Sequence, residues 1–216
     1  MKELSNGIGE KNTGLYFTPN KNARPASLES FDHSVNFHGY QEYSLSKNWI
    51  HVLPTDASLQ KKFDLLLPFF QPRFLQNRTL LDLGANAAFY CFWALQQKAQ
   101  KATAVDIDEE YLLLVKKAKE QLGFENLDIV RENIMDWKEP ADVVVALALV
   151  HWIYSCTALI GSLDAVVEKL AGLTKYMLIV EWIEPEDAAI QFFHHLDWNK
   201  DIAYEPYTRE VFYTAL

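Results

Sequence analysis

From residue 79 onward, short apolar segments alternate with amphipathic stretches of helix length, and this alternation limits the possible folds more than any other feature. It is typical of βαβ units that build a parallel sheet. The predicted strands are 79–84, 101–107, 126–132, 141–149 and 175–182, and the helices between them are 87–98, 109–122 and 162–173. The sequence therefore predicts an α/β chain with a doubly wound, mainly parallel sheet.

The first 53 residues differ in character from the rest of the chain. Residues 1–32 are rich in Asn, Lys, Gly, Ser and Pro without a sustained period, which predicts an N-terminal arm. Residues 37–53 are dense in aromatic side chains and show neither helical nor strand periodicity. Two interpretations stay open: a lid over a substrate, or aromatic residues that fasten the arm to the core. Residues 54–216 form the expected folded domain, and its first helix begins after Thr55-Asp56.

Composition excludes several classes of function. The 20 Lys and Arg residues are outnumbered by 29 Asp and Glu residues, giving a net charge of −9 without a basic cluster, so a nucleic-acid partner is disfavoured. Neither a membrane-length apolar segment nor a secretory h-region is visible, and we expect a cytoplasmic protein without membrane contact. Cys91 and Cys156 lie in apolar segments, which predicts buried thiols rather than a disulfide framework.

The polar residues that follow the first two strands predict a ligand site. Gly84 permits a tight turn, and the helix after it presents unpaired N–H groups. Asp106 ends the second strand 22 residues later (106 − 84), where an acidic side chain accepts hydrogen bonds from ribose hydroxyls. Both features in one βαβ unit predict a nucleoside site.

The glycine count narrows the choice of nucleoside. A dinucleotide fingerprint needs three glycines, whereas residues 84–89 contain one. The second glycine normally lets the backbone approach a pyrophosphate, so its absence argues against NAD and FAD. The phosphate-binding loop of ATP and GTP enzymes is also missing from the sequence. A ligand with a ribose and no phosphates fits better.

The segments LLDLGANAAFYCFWAL, AVDID, ENIMDW and DVVVALALVHW together resemble class I S-adenosylmethionine-dependent methyltransferases over roughly residues 79–183. Within that superfamily, VVALALVHW and LIVEWIEPEDAAI are similar to nodulation-protein-related and cell-surface-polysaccharide methyltransferases. The resemblance implies a Rossmann-like fold, S-adenosyl-L-methionine as the cofactor, and a cofactor-binding domain at 54–216.

Residue by residue, the resemblance implies the cofactor contacts. Asp82 and Gly84 match the methionine-binding turn and Asp106 the acid on the ribose. Ile107 would flank the adenine, and Asn133 with Ile134 match the adenine-contacting pair. The full expected set is Asp82, Gly84, Ala85, Asn86, Asp106, Ile107, Asn133 and Ile134. The family usually carries further glycines where this chain has Asn86 and Ala88.

His151 and Glu181 follow the fourth and fifth strands and are the candidate catalytic residues. An imidazole with a pKa near 6.5 is suited to remove a proton from a hydroxyl at neutral pH, and a nearby carboxylate could orient it. The alternative is that His151 only caps the strand end and Glu181 only caps the next turn. No metal site is expected, since the adjacent His194 and His195 would point about 100° apart on a helix.

The leading hypothesis is a methyltransferase acting on a hydroxyl, or similar nucleophile, of a small molecule or glycan. The alternatives are an RNA or nucleotide methyltransferase, which a basic surface patch would support, and a non-catalytic adenosyl-binding domain of a larger protein. The sequence does not reveal the acceptor.

The segment after the fifth strand predicts helices where the family's sheet normally ends in an antiparallel hairpin. Residues 189–198 and 208–216 have helical patterns, with Thr208 as a cap for the second. The fifth strand would then lack its usual neighbours. We therefore expect a longer protein, or an edge covered by the N-terminal arm or by another chain.

Overall fold

The computed structural model describes residues 15–17, 43–46, 49–52, 57–157, 160–199, 201, 203 and 205–216. Three short strands come first: β1 (Leu15–Phe17), β2 (Tyr43–Ser46) and β3 (Trp49–Val52). They form an antiparallel sheet in the order β1-β3-β2. Residues 37–53 thus contain strands although they show no strand periodicity, because strands of four residues are too short to show a sustained alternation. The lid interpretation rests on side chains that lie outside the described part of the chain.

The main sheet has five parallel strands in the order β6-β5-β4-β7-β8. Its strands are β4 (Thr79–Leu83), β5 (Lys101–Asp106), β6 (Leu127–Arg131), β7 (Ala141–Ala146) and β8 (Thr174–Val180). This is the Rossmann-like doubly wound sheet that the sequence predicts. The strand order reverses between β4 and β7, and ligands bind at such a point, beyond the carboxyl ends of the strands.

Helices cover both faces of the sheet. They are α1 (Ala57–Leu66), α2 (Pro72–Leu75), α3 (Phe89–Gln96), α4 (Glu109–Leu122), α5 (Val150–Trp152), α6 (Leu163–Gly172), α7 (Ala188–Phe193) and α8 (Arg209–Ala215). A π-helical turn, Ile153–Thr157, follows α5, and a 3₁₀ helix, His195–Asn199, follows α7. None of the described helices is long and apolar enough to cross a membrane.

Local capping fixes the helix ends. The Asp108 carboxylate accepts the N–H groups of Glu110 and Tyr111 at the start of α4, and Gly123 ends that helix in the left-handed conformation. Thr208 accepts the Val211 N–H at the start of α8. The cap predicted at Thr208 is confirmed.

Two apolar cores lie on opposite faces of the sheet. On one face, α3 and α4 pack aromatic and aliphatic side chains such as Phe92 and Val115 against Leu80. On the other face, α6 and α8 pack Val166 and Phe212 against the opposite side of the strands. Burial on both faces explains why the strands are almost continuously apolar.

The chain after β8 is helical in the described residues, as the sequence predicts. Helix α8 packs against α6, and among the described residues β8 has only β7 as a strand neighbour. The single helix expected over 189–198 is instead two segments, because His194 adopts φ 51° and ends α7. The next residue, His195, then points into the protein and is fully buried.

Candidate active site

The turn after β4 requires a glycine at position 84. Gly84 has φ +65°, and a Cβ built on it would lie 2.9 Å from Cδ1 of Leu149. The next residue, Ala85, donates its N–H to the Val105 carbonyl at 3.0 Å, which ties the turn to β5. Backbone conformation and space therefore both favour glycine here.

The turn continues with left-handed residues that are not glycine. Asn86 has φ 48° and Ala88 has φ 55°. These are the two positions where the resemblance predicts glycines, and the positive φ angles explain that preference. The Asn86 side chain compensates in part, because its Oδ1 accepts the Ala87 N–H at 2.9 Å. The turn thus keeps a backbone conformation typical of glycine with larger residues, at a cost of about 1–2 kcal/mol at Ala88.

The Asp106 carboxylate links the turn to the end of β5. Its Oδ2 accepts the Asn86 N–H at 2.8 Å, and its Oδ1 accepts the Asp108 N–H at 2.9 Å. Burial raises the pKa of Asp106, and these backbone hydrogen bonds act in the opposite direction. A carboxylate offers about four acceptor positions, so each oxygen keeps room for one more donor. Ile107 beside it is 54% exposed and is apolar.

Asp82 occupies a different environment from Asp106. It is buried in the sheet with 2% of its surface exposed, and Cys91 Sγ lies 3.9 Å from its Oδ2. Burial and then the charge of Asp106 raise the pKa of Asp82 well above its ordinary value. Asp82 is therefore the deeply buried carboxyl group of the two, while Asp106 lies nearer the surface. The predicted burial of the Cys91 thiol is confirmed, and the Cys156 side chain lies outside the described part.

The loop after β6 is held beside the same edge of the sheet. Glu132 donates its N–H to the Asp106 carbonyl at 3.1 Å. Asn133 Oδ1 accepts the Met135 N–H at 3.0 Å, and Ile134 is buried with 4% of its surface exposed. The strand ends thus bring together the turn at Gly84, the Asp106 carboxylate and the Asn133 loop, as expected.

This set of groups fits an adenosyl cofactor. Asp106 can accept hydrogen bonds from two adjacent hydroxyls, and the left-handed turn lies directly beside it at the edge of the sheet. The turn lacks the second and third glycines that admit a pyrophosphate. The donors and acceptors present therefore suit a ribose without phosphates.

His151 lies in an environment that differs from the sequence-based expectation. It is buried with 2% of its surface exposed, and its Nδ1 lies 2.7 Å from Nε2 of His195. Burial, followed by the charge of His195, lowers the pKa of His151 to about 3. The expected pKa near 6.5 and the expected orienting carboxylate are therefore absent: the partner of His151 is an imidazole.

His195 is held by stacking as well as by His151. Its ring stacks on Trp152 with centroids 4.0 Å apart and an interplanar angle of 16°. Burial lowers the pKa of His195 too. Trp152 thus contacts both rings of the histidine pair. Within the described ranges, no group of three His, Cys, Asp or Glu side chains is arranged to hold a metal ion.

Glu181 pairs with a lysine from the distant helix α1. Lys62 Nζ lies 2.8 Å from Glu181 Oε2, and both side chains are 23% exposed. The Glu181 backbone N–H donates to the Ala146 carbonyl at 3.2 Å, which holds it beside the end of β7. Tyr90 is buried, and after burial itself the charges of Asp82 and Glu181 raise its pKa. Asp82, Tyr90 and Glu181 are therefore close enough to interact electrostatically.

Sequence reasoning missed Lys62, His195 and Tyr90. Lys62 is 119 residues from Glu181, and His195 is 44 residues from His151. Only a prediction of the tertiary packing could have identified these two contacts. Sequence spacing does identify the contact between Asn86 and Asp106, because both residues belong to one βαβ unit.

A comparison with protein families supports the assignment of this site. The model of a family described as a methyltransferase domain matches residues 81–171. The matched segment, which contains β4 to β7, is thus similar to a methyltransferase domain. The five-stranded parallel sheet confirms the fold class expected from the sequence, and the match supports the expected methyltransferase activity with S-adenosylmethionine as the methyl donor. A search of curated proteins finds no significant match.

Solved structures resemble the methyltransferase domain in fold. The N-methyltransferase NodS from Bradyrhizobium japonicum WM9 is 12% identical, with 65% of this chain and 76% of NodS covered and a TM-score of 0.50. A protein from Listeria monocytogenes, assigned as an S-adenosylmethionine-dependent methyltransferase, is 22% identical, with coverage of 53% and 48% and a TM-score of 0.42.

The protein yhhF from Escherichia coli, assigned as a methyltransferase, is 20% identical over 57% of this chain and 64% of yhhF, with a TM-score of 0.42. This chain therefore spans less than two thirds of the Listeria and Escherichia proteins, 48% and 64% respectively. At these identities the likeness concerns the fold of the methyltransferase domain.

Proposed function

We propose that this chain transfers a methyl group from S-adenosylmethionine to a hydroxyl, or similar nucleophile, of a small molecule or glycan in the cytoplasm. The observation that carries the proposal is the Asp106 carboxylate, which is hydrogen-bonded to the Asn86 backbone and still able to accept two hydroxyl donors. In the proposal, residues 54–216 are the cofactor-binding domain and residues 1–53 an appended segment.

The carboxyl edge of β4, β5 and β6 would hold the cofactor. Asp106 would accept the ribose hydroxyls, and the exposed Ile107 would pack on the adenine with Asn133 and Ile134. Asp82, Gly84, Ala85 and Asn86 would form the turn beside the methionine part. When bound, S-adenosylmethionine supplies an electrophilic methyl group on a sulfonium. The protein's main contribution to such a displacement is the positioning of the acceptor.

The ends of β7 and β8 would hold the acceptor, with His151 and Glu181 as the candidate catalytic residues. A general base works best when its pKa lies near the working pH. His151, with a pKa of about 3, is neutral at pH 7 but is a weak base. Glu181 is partly exposed and pairs with Lys62 through one oxygen, Oε2. We therefore assign the contact with the acceptor proton to Glu181 and a supporting role to His151.

The net charge of −9 favours a small-molecule or glycan acceptor over RNA. The test is a turnover assay with methyl-labelled S-adenosylmethionine and separate small-molecule, glycan and RNA fractions of a cell extract. We expect label to enter a small-molecule or glycan fraction and the Glu181→Gln variant to be slower by about 10²-fold or more. Transfer of the labelled methyl group to the RNA fraction would contradict the proposed acceptor class and would favour RNA as the acceptor.

The non-catalytic alternative has its own outcome in this assay. An adenosyl-binding domain would bind the cofactor and label no fraction, and this result would contradict the proposed function while leaving the cofactor site intact. Asp106→Ala serves as the control for the cofactor, since it should abolish labelling by removing binding rather than chemistry.

A further inference from the structure

The two edges of the five-stranded sheet differ in chemistry. Along the outer strand β6, the charged residues Asp128 and Arg131 form ion pairs with Lys101 and Glu109. The opposite edge strand, β8, contains four successive apolar residues at 177–180, all partly exposed. Charged residues protect an edge strand from pairing with other chains, whereas an apolar edge invites it. The β8 edge is thus the one suited to association.

The backbone groups of β8 alternate in direction. Within the described residues β8 pairs only with β7. Glu181 donates its N–H to the Ala146 carbonyl, so the alternate residues Ile179 and Met177 also direct their backbone groups toward β7. The ladder has a register shift between Thr174 and Met177, but the Leu173 carbonyl before it also faces β7, where it accepts the Ala141 N–H. Tyr176, Leu178 and Val180 therefore direct their N–H and C=O groups away from the sheet, where a further strand can pair with them.

The sequence of β8 is complementary to itself in one antiparallel register. A two-fold axis at Leu178 places Lys175 opposite Glu181 of a second copy and Tyr176 opposite Val180. Opposite charges and aromatic–β-branched pairs are favourable when they lie directly across two strands. Moving the axis to Tyr176 or Val180, the next residues with outward backbone groups, loses the pairing of Lys175 with Glu181.

We propose that β8 pairs with β8 of a second copy about a two-fold axis at Leu178, which joins two five-stranded sheets into one continuous sheet. The facing residues Tyr176, Leu178 and Val180 exchange about six backbone hydrogen bonds in this arrangement. Because a two-fold contact uses the same surface on both copies, the assembly is complete as a dimer. Oε2 of Glu181 is held by Lys62 of its own chain, and its carboxylate also faces Lys175 of the second copy, so the interface borders the proposed acceptor site.

Cross-linking of two cysteine variants tests this register. Leu178→Cys brings two cysteines face to face across the axis, with Cα atoms about 5.5 Å apart, which is within disulfide range. Tyr176→Cys is the matched control, because its two cysteines lie four residues apart along the strands, more than about 13 Å. After mild oxidation we expect Leu178→Cys to form a covalent dimer, and Tyr176→Cys and the unaltered chain to remain uncross-linked.

Sedimentation of the full chain provides a measurement that avoids any change to the partly buried Leu178. We expect a dimer, twice the 24.9 kDa of the chain. Lys175→Glu should weaken association about 10-fold or more, since it opposes like charges at two symmetric positions. Lys116→Glu, an equal charge change at an exposed position on α4, should not. A monomeric chain at about 100 µM, or equal cross-linking of the two cysteine variants, would overturn the proposal.

Discussion

Nδ1 of His151 and Nε2 of His195 lie 2.7 Å apart in the protein interior, although 44 residues separate them in the chain. The contact joins α5, after the fourth parallel strand, to the 3₁₀ helix that follows α7. Both imidazoles have lowered pKa values, with burial as the main cause. This segment is therefore held together by a neutral histidine pair.

The histidine pair predicts a loss of stability in mild acid. The pKa of His151 is about 3 in the folded chain and 6.5 in the unfolded chain, so the unfolded state binds the extra proton between these values. Its contribution is present above pH 6.5 and is lost as the pH falls toward 3. Between pH 6.5 and 5 this one group lowers the free energy of unfolding by roughly 1.5 kcal/mol.

Urea unfolding at pH 6.5 and pH 5 measures this effect. Between pH 6.5 and pH 5, the free energy of unfolding of His151→Gln should fall by roughly 1.5 kcal/mol less than that of the unaltered chain, because glutamine does not titrate. His194→Asn is the matched control at the exposed neighbour of His195, and this variant should keep the pH dependence that His151 contributes. An unchanged slope in His151→Gln would show that His151 titrates alike in both states.

The positive φ of Gly84 predicts that alanine at this position destabilises the fold mainly through backbone strain rather than through a steric clash. Gly84→Ala places a side chain at φ +65°, which costs about 1–2 kcal/mol of stability. Adding Leu149→Ala removes the side chain that the new Cβ would approach to 2.9 Å. In the Leu149→Ala background we still expect Gly84→Ala to lower the free energy of unfolding by at least about 1 kcal/mol. Full recovery there would mean that contact, rather than backbone conformation, selects glycine.

The Lys62–Glu181 ion pair predicts a measurable coupling between α1 and β8. Both side chains are only 23% exposed, so we expect a double-mutant cycle of Lys62→Met and Glu181→Gln to give a coupling of about 1 kcal/mol. Chemical denaturation of the four proteins measures it. Lys61→Met, the exposed neighbour on α1, should show no coupling with Glu181→Gln. Equal coupling for both lysines would indicate a general charge effect rather than this contact.

Local signals in the sequence predict most of the parallel sheet. Helix α4 has the predicted limits because Asp108 and Gly123 set its two ends within the chain itself. The strand predicted at 141–149 ends instead at Ala146, since Ala148 adopts φ 49° and turns the chain into α5. Apolar composition alone, as in Leu147-Ala148-Leu149, does not distinguish such a turn from a continued strand.

The candidate site also contains contacts that the local sequence predicts and contacts that it does not predict. The contact of Asp106 with Asn86 is predictable because one βαβ unit contains both residues. The partners of His151 and Glu181 are not predictable, because they come from segments packed beside the sheet by tertiary contacts. The pKa of His151 depends on that packing, and for this reason the value near 6.5 expected from the sequence does not hold.

Calorimetric titration of the cofactor tests the central claim, that Asp106 and the Gly84 turn form an adenosyl site without a pyrophosphate cradle. We predict saturable binding of S-adenosylmethionine and of its demethylated product, no binding of NAD, and a loss of affinity of about 10-fold or more in Asp106→Ala. Asp128→Ala, which removes an exposed carboxylate from the neighbouring strand β6, should bind like the unaltered chain. Tight binding of NAD, or unchanged affinity for S-adenosylmethionine in a folded Asp106→Ala variant, would contradict the account.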